Sequence, residues 1–151
     1  AGQKELLKTI EATVVDIHNS VNSMRSAKTQ LKDYAKLLKD NEMAKSLLKQ
    51  GDTLIKRITA WEENLIQPNQ KTFQDVINFE NKLNAQLLNL RGYIDVVEPK
   101  VTAGAKVRLQ DLLTQWKTFK TEHNAIITTE MAAYNEAFRS LEIPALIISN
   151  K

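Results

Sequence analysis

From Leu7 to Leu38 the apolar residues fall in alternating steps of three and four. They are Leu7, Ile10, Val14, Ile17, Val21, Met24, Leu31, Ala35 and Leu38, interrupted once by Lys28. Such spacing draws a single stripe along an α-helix. No glycine or proline interrupts the chain between Gly2 and Gly51. The stripe predicts a helix over residues 4–39, about 54 Å long at 1.5 Å per residue. A helix of that length cannot bury its apolar face against itself. It requires partners running beside it, which constrains the rest of the chain to supply long helices.

The remaining sequence offers three. Asp40 and Asn41 supply turn and N-cap chemistry, and a second helix is predicted over 42–66. Its stripe is Leu47, Gly51, Leu54, Ile58, Trp61 and Leu65. Gly51 inside it marks a close helix–helix approach, a local kink or a true break around Gln50-Gly51-Asp52. Pro68 and Asn69 close the segment. A third helix over 72–97 carries Val76, Phe79, Leu83, Leu87, Leu90, Ile94 and Val97 on its main stripe. A second ridge holds Ile77, Leu88 and Gly92. Pro99 pushes Glu98 out of α geometry and ends it. Thr102 can cap a fourth helix over 102–141, striped by Ala105, Leu109, Leu112, Trp116, Phe119, His123, Ile126, Tyr134, Phe138 and Leu141.

The fold expected is therefore all-α: an elongated antiparallel up-down bundle of four helices, the first and fourth longest and overhanging the middle pair. An extended antiparallel coiled-coil arm is the alternative. Four glycines and three prolines in 151 residues suit long helices far better than a turn-rich β fold. One domain is expected, with the tail 142–151 folded back over an open end. The amino terminus, AGQKELLK, opens almost directly into a helix, as in a processed chain or a piece of a larger protein.

The third helix carries four asparagines, Asn78, Asn81, Asn84 and Asn89. Asn84 falls at the boundary of the two apolar faces, where an amide is expected to hydrogen-bond across to a neighbouring helix. The others lie off the main stripe. With Phe79, Leu83, Leu87, Leu90, Trp116 and Phe119, Asn84 completes the expected structural core.

Chemistry is sparse. The chain has no cysteine, which excludes disulfides and thiolate metal sites. Its histidines, His18 and His123, are not preceded at three residues by glutamate, so the Glu-x-x-His pattern of di-iron bundles is missing. His123 lies on the stripe and is expected to be partly buried with a satisfied hydrogen bond; a pH-sensitive pair with Glu130 is the other option. No nucleophile elbow or phosphate-binding glycine loop is present. Adjacent Glu62 and Glu63 point in different directions on a helix and make no acid–base pair. No catalytic, cofactor-binding or metal-ligating residue and no cofactor is expected.

Charge offers one pattern. Arg25, Lys28, Lys32, Lys36 and Lys39 recur at helical spacing on the first helix. The row reads as a solvated face, or as a contact for an anionic surface such as a polyanion or lipid headgroup. The net charge of +3 gives no strong case for nucleic acid, and no apolar run is long enough to cross a bilayer.

The stretch DVINFENKLNAQLLNLRGYI (residues 75–94), a linker containing Pro99 and Thr102, and a long helix ending in AYNEAFRSLEIPALI (residues 133–147) resemble a bacterial family. These are the C-terminal helical regions of secreted sortilin-type β-propeller proteins, described as glycosyl-hydrolase-like or BNR-repeat proteins. The shared pattern falls on Phe79, Lys82, Leu83, Asn84, Leu87, Leu90, Asn135, Phe138, Leu141 and Pro144; the family often has proline where this chain has Glu80. The resemblance implies a helical accessory domain of a larger exported protein, with the upstream β-propeller of the same parent chain as its partner. It implies no catalytic residue here. The function expected is a non-catalytic structural or accessory domain. The alternative is a binding module presenting a helical face to a protein, glycan or anionic surface.

Overall fold

The structure, a computed structural model, describes residues 2–66, 82–96 and 103–148. Phe79, Asn78, Asn81, Ile77, Val76, Val97, Pro68-Asn69, Glu98-Pro99 and Thr102 lie outside the described residues.

The chain forms α1 (Gln3–Leu37), a 3₁₀ turn (Glu42–Ala44), α2 (Lys45–Glu62), α3 (Leu83–Val96) and α4 (Ala103–Ala125). A π turn (Ile126–Met131) leads without a break into α5 (Ala132–Ser140). Among the described residues there is no strand. The fold is an all-α bundle, and α1 and the continuous α4–α5 helix are the longest members, at 35 and 38 residues.

Between α1 and α2, the Asn41 side chain accepts from the Met43 N–H at 2.9 Å, satisfying a donor that the helix start leaves open. The second helix proper begins at Lys45 rather than residue 42, because that cap closes a 3₁₀ turn first. Helix α2 passes through Gly51 unbroken. A Cβ there would lie 3.2 Å from Tyr134 Cε2 and 3.6 Å from Leu31 Cδ2, so the glycine marks a close approach of α2 to α5 and α1.

The order of the helices along the bundle adds a feature that stripes could not supply. The backbone N–H of Asn84 donates to Leu65 O at 3.0 Å, joining the start of α3 to the turn that ends α2. At the far end of α3, Gln3 Nε2 donates to Ile94 O at 2.9 Å. Helices α2 and α3 therefore follow one another end to end, both antiparallel to α1. Helix α4 runs parallel to α1, since Trp116 meets Asp16 and, in α5, Phe138 meets Tyr34. Among the described residues the result is a rod three helices thick: α1, the stacked α2 and α3, and α4–α5. The outer helices do not project beyond a shorter middle pair, because α2 and α3 together accompany α1 from its carboxyl end to Gln3.

The core runs down the axis of this rod. Ile10, Ile17, Met24, Leu38, Ile58, Trp61, Leu65, Leu87, Ile94, Leu112 and Ile126 are essentially inaccessible. Trp61 alone buries an area worth about 4–6 kcal/mol in transfer free energy, as an upper bound. Lys28, the break in the α1 stripe, is half-buried because its ammonium group reaches partners on α2. Thr13 and Ser20 are buried too; Thr13 Oγ1 satisfies itself on Thr9 O at 2.8 Å.

At the carboxyl end the chain turns at Glu142, whose φ of 53° is left-handed and costs about 1–2 kcal/mol for a residue with a Cβ. Beyond it, Ile143 and Ile147 pack on the core, whereas Leu146 and Ile148 are each 88% exposed. The described part of the tail, residues 142–148, thus buries only one of its sides.

Candidate functional site

Polar groups concentrate in the middle of the rod, where α1, α2 and α4 meet, and three clusters bind the helices together. The first joins α1 to α4. Trp116 Nε1 donates to Asp16 Oδ2 at 2.9 Å, and Lys120 Nζ lies 3.2 Å from Asp16 Oδ1 and 2.9 Å from Ser20 Oγ. The same ammonium sits 5.8 Å from the Trp116 ring centroid, within cation–π range.

A second cluster joins α1 to α2. Glu62 ends α2 with a side chain only 8% exposed. Arg25 Nη2 and Nε donate to Glu62 Oε2 at 2.7 and 3.0 Å. Lys28 Nζ lies 3.6 Å from the other carboxylate oxygen and donates to Thr59 Oγ1 at 3.2 Å. Burying a carboxylate is expensive; the two Arg25 bonds to Oε2 offset part of that cost, while Oε1 is buried without a hydrogen bond among the described residues and has Lys28 only as an ion-pair neighbour.

The third cluster joins α2 to α4 and its π turn. Arg57 bridges Glu122 on α4 and Glu130 in the π turn, at 3.3 and 3.4 Å. One turn along α2, Trp61 Nε1 donates to Phe119 O at 2.8 Å, and its ring lies 5.4 Å from the His123 imidazole. His123 is buried. Its Nδ1 is 3.2 Å from Asn124 Oδ1, while Nε2 has no hydrogen-bond partner among the described residues. Burial holds the His123 pKa below its ordinary 6.5; the Asn124 hydrogen bond opposes this, Lys120 adds to it and Asp16 opposes it. The imidazole is therefore neutral at pH 7. Glu130 meets Arg57 rather than His123, so the histidine–glutamate pair considered from spacing does not form.

The π turn explains how the α4 stripe continues. In a pure α-helix the eight residues from Ile126 to Tyr134 turn through about 800°, leaving Tyr134 roughly 80° off the seam. A π turn absorbs one extra residue, so the rotation comes close to two full turns and Tyr134 lands back in the core, 6% exposed.

The sequence-derived core residues separate by element. Leu83, Asn84, Leu87 and Leu90 are buried on α3. Trp116 is buried on α4 and Phe119 is half-buried beside it. Asn84 is in the core, as expected, but its amide does not make the expected hydrogen bond to a neighbouring helix. The residue is at 0% exposure, and neither Oδ1 nor Nδ2 finds a hydrogen-bond partner among the described residues. Asn89 remains exposed.

The basic row is divided. Arg25 and Lys28 are drawn into the ion pair with Glu62. Lys32, Lys36 and Lys39 stay exposed near the carboxyl end of α1. Spacing alone could not separate the two groups, because their partner Glu62 is distant in sequence. A polar residue interrupting an otherwise continuous stripe, as Lys28 does, was the available signal.

Among the described residues, no group of three or more histidine, aspartate or glutamate side chains is arranged to hold a metal ion, and no helix is long and apolar enough to cross a membrane. No protein-family model, curated protein or solved structure matches the chain.

Proposed function

We propose that this chain is a non-catalytic structural or accessory helical domain, a rigid rod attached to a larger exported protein. The observation carrying this reading is how its chemically capable side chains are used. Asp16, Lys120, Arg25, Glu62, Arg57, Glu122 and Glu130 tie one helix to another across the centre of the rod. The indole N–H groups of Trp61 and Trp116 do the same. Groups so engaged stiffen a three-helix rod along its length, which is the property a spacer or brace needs.

The resemblance in residues 75–94 and 133–147 suggests what the rod would brace: a secreted β-propeller of the sortilin type, upstream in the same parent chain. A calorimetric titration of this chain into the separately expressed upstream propeller tests the proposal. Saturable binding, lost on changing one helix face, identifies a brace and its docking side. No heat at tens of micromolar, at concentrations where a domain contact of ordinary size would register, removes the propeller as partner.

A second reading, a binding module, draws on a specific observation. Lys32, Lys36 and Lys39 are exposed and engage no acid among the described residues, in contrast to the paired cations at the centre of the rod.

A further inference from the structure

The seam between α1 and α2, near the end of the rod where the two helices are joined, is open. A groove of about 260 Å³ lies there, with Leu31, Gly51 and Tyr134 in its floor and Ala35, Leu48 and Ile55 in its walls. The floor residues are buried and the wall residues half-buried. Gly51 keeps the groove deep, since it contributes no side chain over the Tyr134 ring.

Both rims are basic. On α1, Lys36 lies within about 40° of Lys32, the residue at the groove edge, at 100° per residue; Lys39 is exposed in the turn that follows the helix, beside the exposed Asp40. Asp33 points about 100° further from the seam. On α2, Lys45, Lys49 and Lys56 fall within about 60° of Asp52, the other edge residue. The remaining acid of α2, Glu62, is turned inward to Arg25. Lys45 and Lys56 pair only with Glu42 and Asp52, through exposed contacts that hold them weakly.

We propose that this groove docks an acidic amphipathic helix of a protein partner. Three features select that occupant. An apolar trough between two antiparallel helices accepts the apolar ridge of a third, read as anchors at i, i+3, i+4 and i+7. Lysines on both rims match a helix carrying glutamates or aspartates on both flanks of that ridge. The apolar surface is recessed between the lysines, so a flat bilayer reaches the rims without reaching the floor, whereas a helix reaches both. The docked helix would make this part of the rod four helices thick. The proposal rests on the binding-module reading and is independent of any β-propeller partner.

The test uses the whole chain and a labelled synthetic peptide of about 18 residues, roughly 27 Å as a helix, with leucines at the anchor spacing and glutamates on both flanks. Fluorescence anisotropy compares it with a scrambled peptide of the same composition. Binding should weaken at least about tenfold for the scrambled peptide and for Lys32→Glu/Lys36→Glu/Lys39→Glu, and should fall as salt rises. Ala35→Gln, which fills the groove without altering charge, should weaken it similarly, with circular dichroism showing each variant folded. Equal binding of the scrambled peptide, or no binding of either peptide, overturns the proposal. If heparin or vesicles of phosphatidylcholine with phosphatidylglycerol bind while the ordered peptide does not, the binding-module reading stands and the helix inference fails. If none of these probes binds, both fail.

Discussion

Replacing Asn84 with leucine should make the protein more stable, against the usual direction of core substitutions. The amide is fully buried at the joint between α2 and α3, and neither polar atom has a partner among the described residues. Leaving a buried amide unpaired costs about 1–3 kcal/mol. Leucine removes that cost and buries more apolar surface, worth a further 1.5–3 kcal/mol or so in transfer terms. Its extra volume takes back about 1–3 kcal/mol through overpacking. The net expectation for Asn84→Leu is a gain of about 2 kcal/mol, or roughly 4–8 °C in melting temperature for a chain of this size. Urea unfolding followed by far-ultraviolet circular dichroism measures it, with an unchanged m-value showing that the unfolded state is the same. The adjacent Leu83, 2% exposed, should respond with the opposite sign: Leu83→Asn loses core contacts, buries an amide and should cost several kcal/mol. If Asn84→Leu instead destabilises by more than about 1 kcal/mol at constant m, the amide is satisfied in solution and the account of the joint is wrong.

Three further perturbations probe the centre of the rod. Arg25→Met leaves Glu62 with Lys28 as its remaining cation and should cost about 2–3 kcal/mol, whereas the double change with Glu62→Met should recover most of that loss; a double loss equal to the sum of the Arg25→Met and Glu62→Met losses would mean the ion pair carries no coupling. Because burial lowers the His123 pKa, the unfolded chain takes up a proton first as pH falls below 6.5. Stability should therefore decline below that point, level off once the folded-state imidazole also protonates, and lose this slope in His123→Gln. Deleting Thr128, exposed within the π turn, should convert the turn to ordinary α-helix and shift the melting temperature by under about 5 °C, while deleting Thr118 in α4 should rotate everything beyond it by about 100° and unfold the rod. Similar melting of the two deletions would show that the π turn does not set the register.

What could be read from sequence was whatever repeats along one helix. The stripes of α1 and α2 place Ile10, Ile17, Leu47, Leu54, Ile58 and Trp61 in the core, because 3.6-residue periodicity depends on neighbours three and four positions away. Relations between helices were not legible in the same way. Glu62 is an ordinary surface residue by sequence and becomes the buried partner of Arg25 and Lys28 only once α2 lies beside α1. The end-to-end stacking of α2 and α3 depends on backbone bonds from Leu83 and Asn84 to Asn64 and Leu65, and backbone bonds carry no side-chain signature. Asn84 was legible as an anomaly in a leucine-rich helix and as a member of the core; that its amide would be buried without a partner among the described residues was not.

The division of the basic row follows from the same geometry and bears on function. A row of five cations at helical spacing is one feature in sequence but crosses two environments along α1. Its first two members stand where α2 ends, and the inward carboxylate of Glu62 takes them into the seam. Its last three stand beside the part of α2 around Leu48 and Gly51, where a residue without a side chain opens the seam and the acid at the groove edge, Asp52, already has Lys56. One helix thus fastens the rod at its centre and leaves exposed lysines, with no ion-pair partner among the described residues, beside an apolar groove towards its end. The two readings of the protein, a brace and a binding module, assign different stretches of the rod and do not compete for the same residues. Reversing Lys32, Lys36 and Lys39 should therefore change what the protein binds while shifting its stability by no more than about 1.5 kcal/mol, since each substitution of an exposed charge is worth about 0.5 kcal/mol or less.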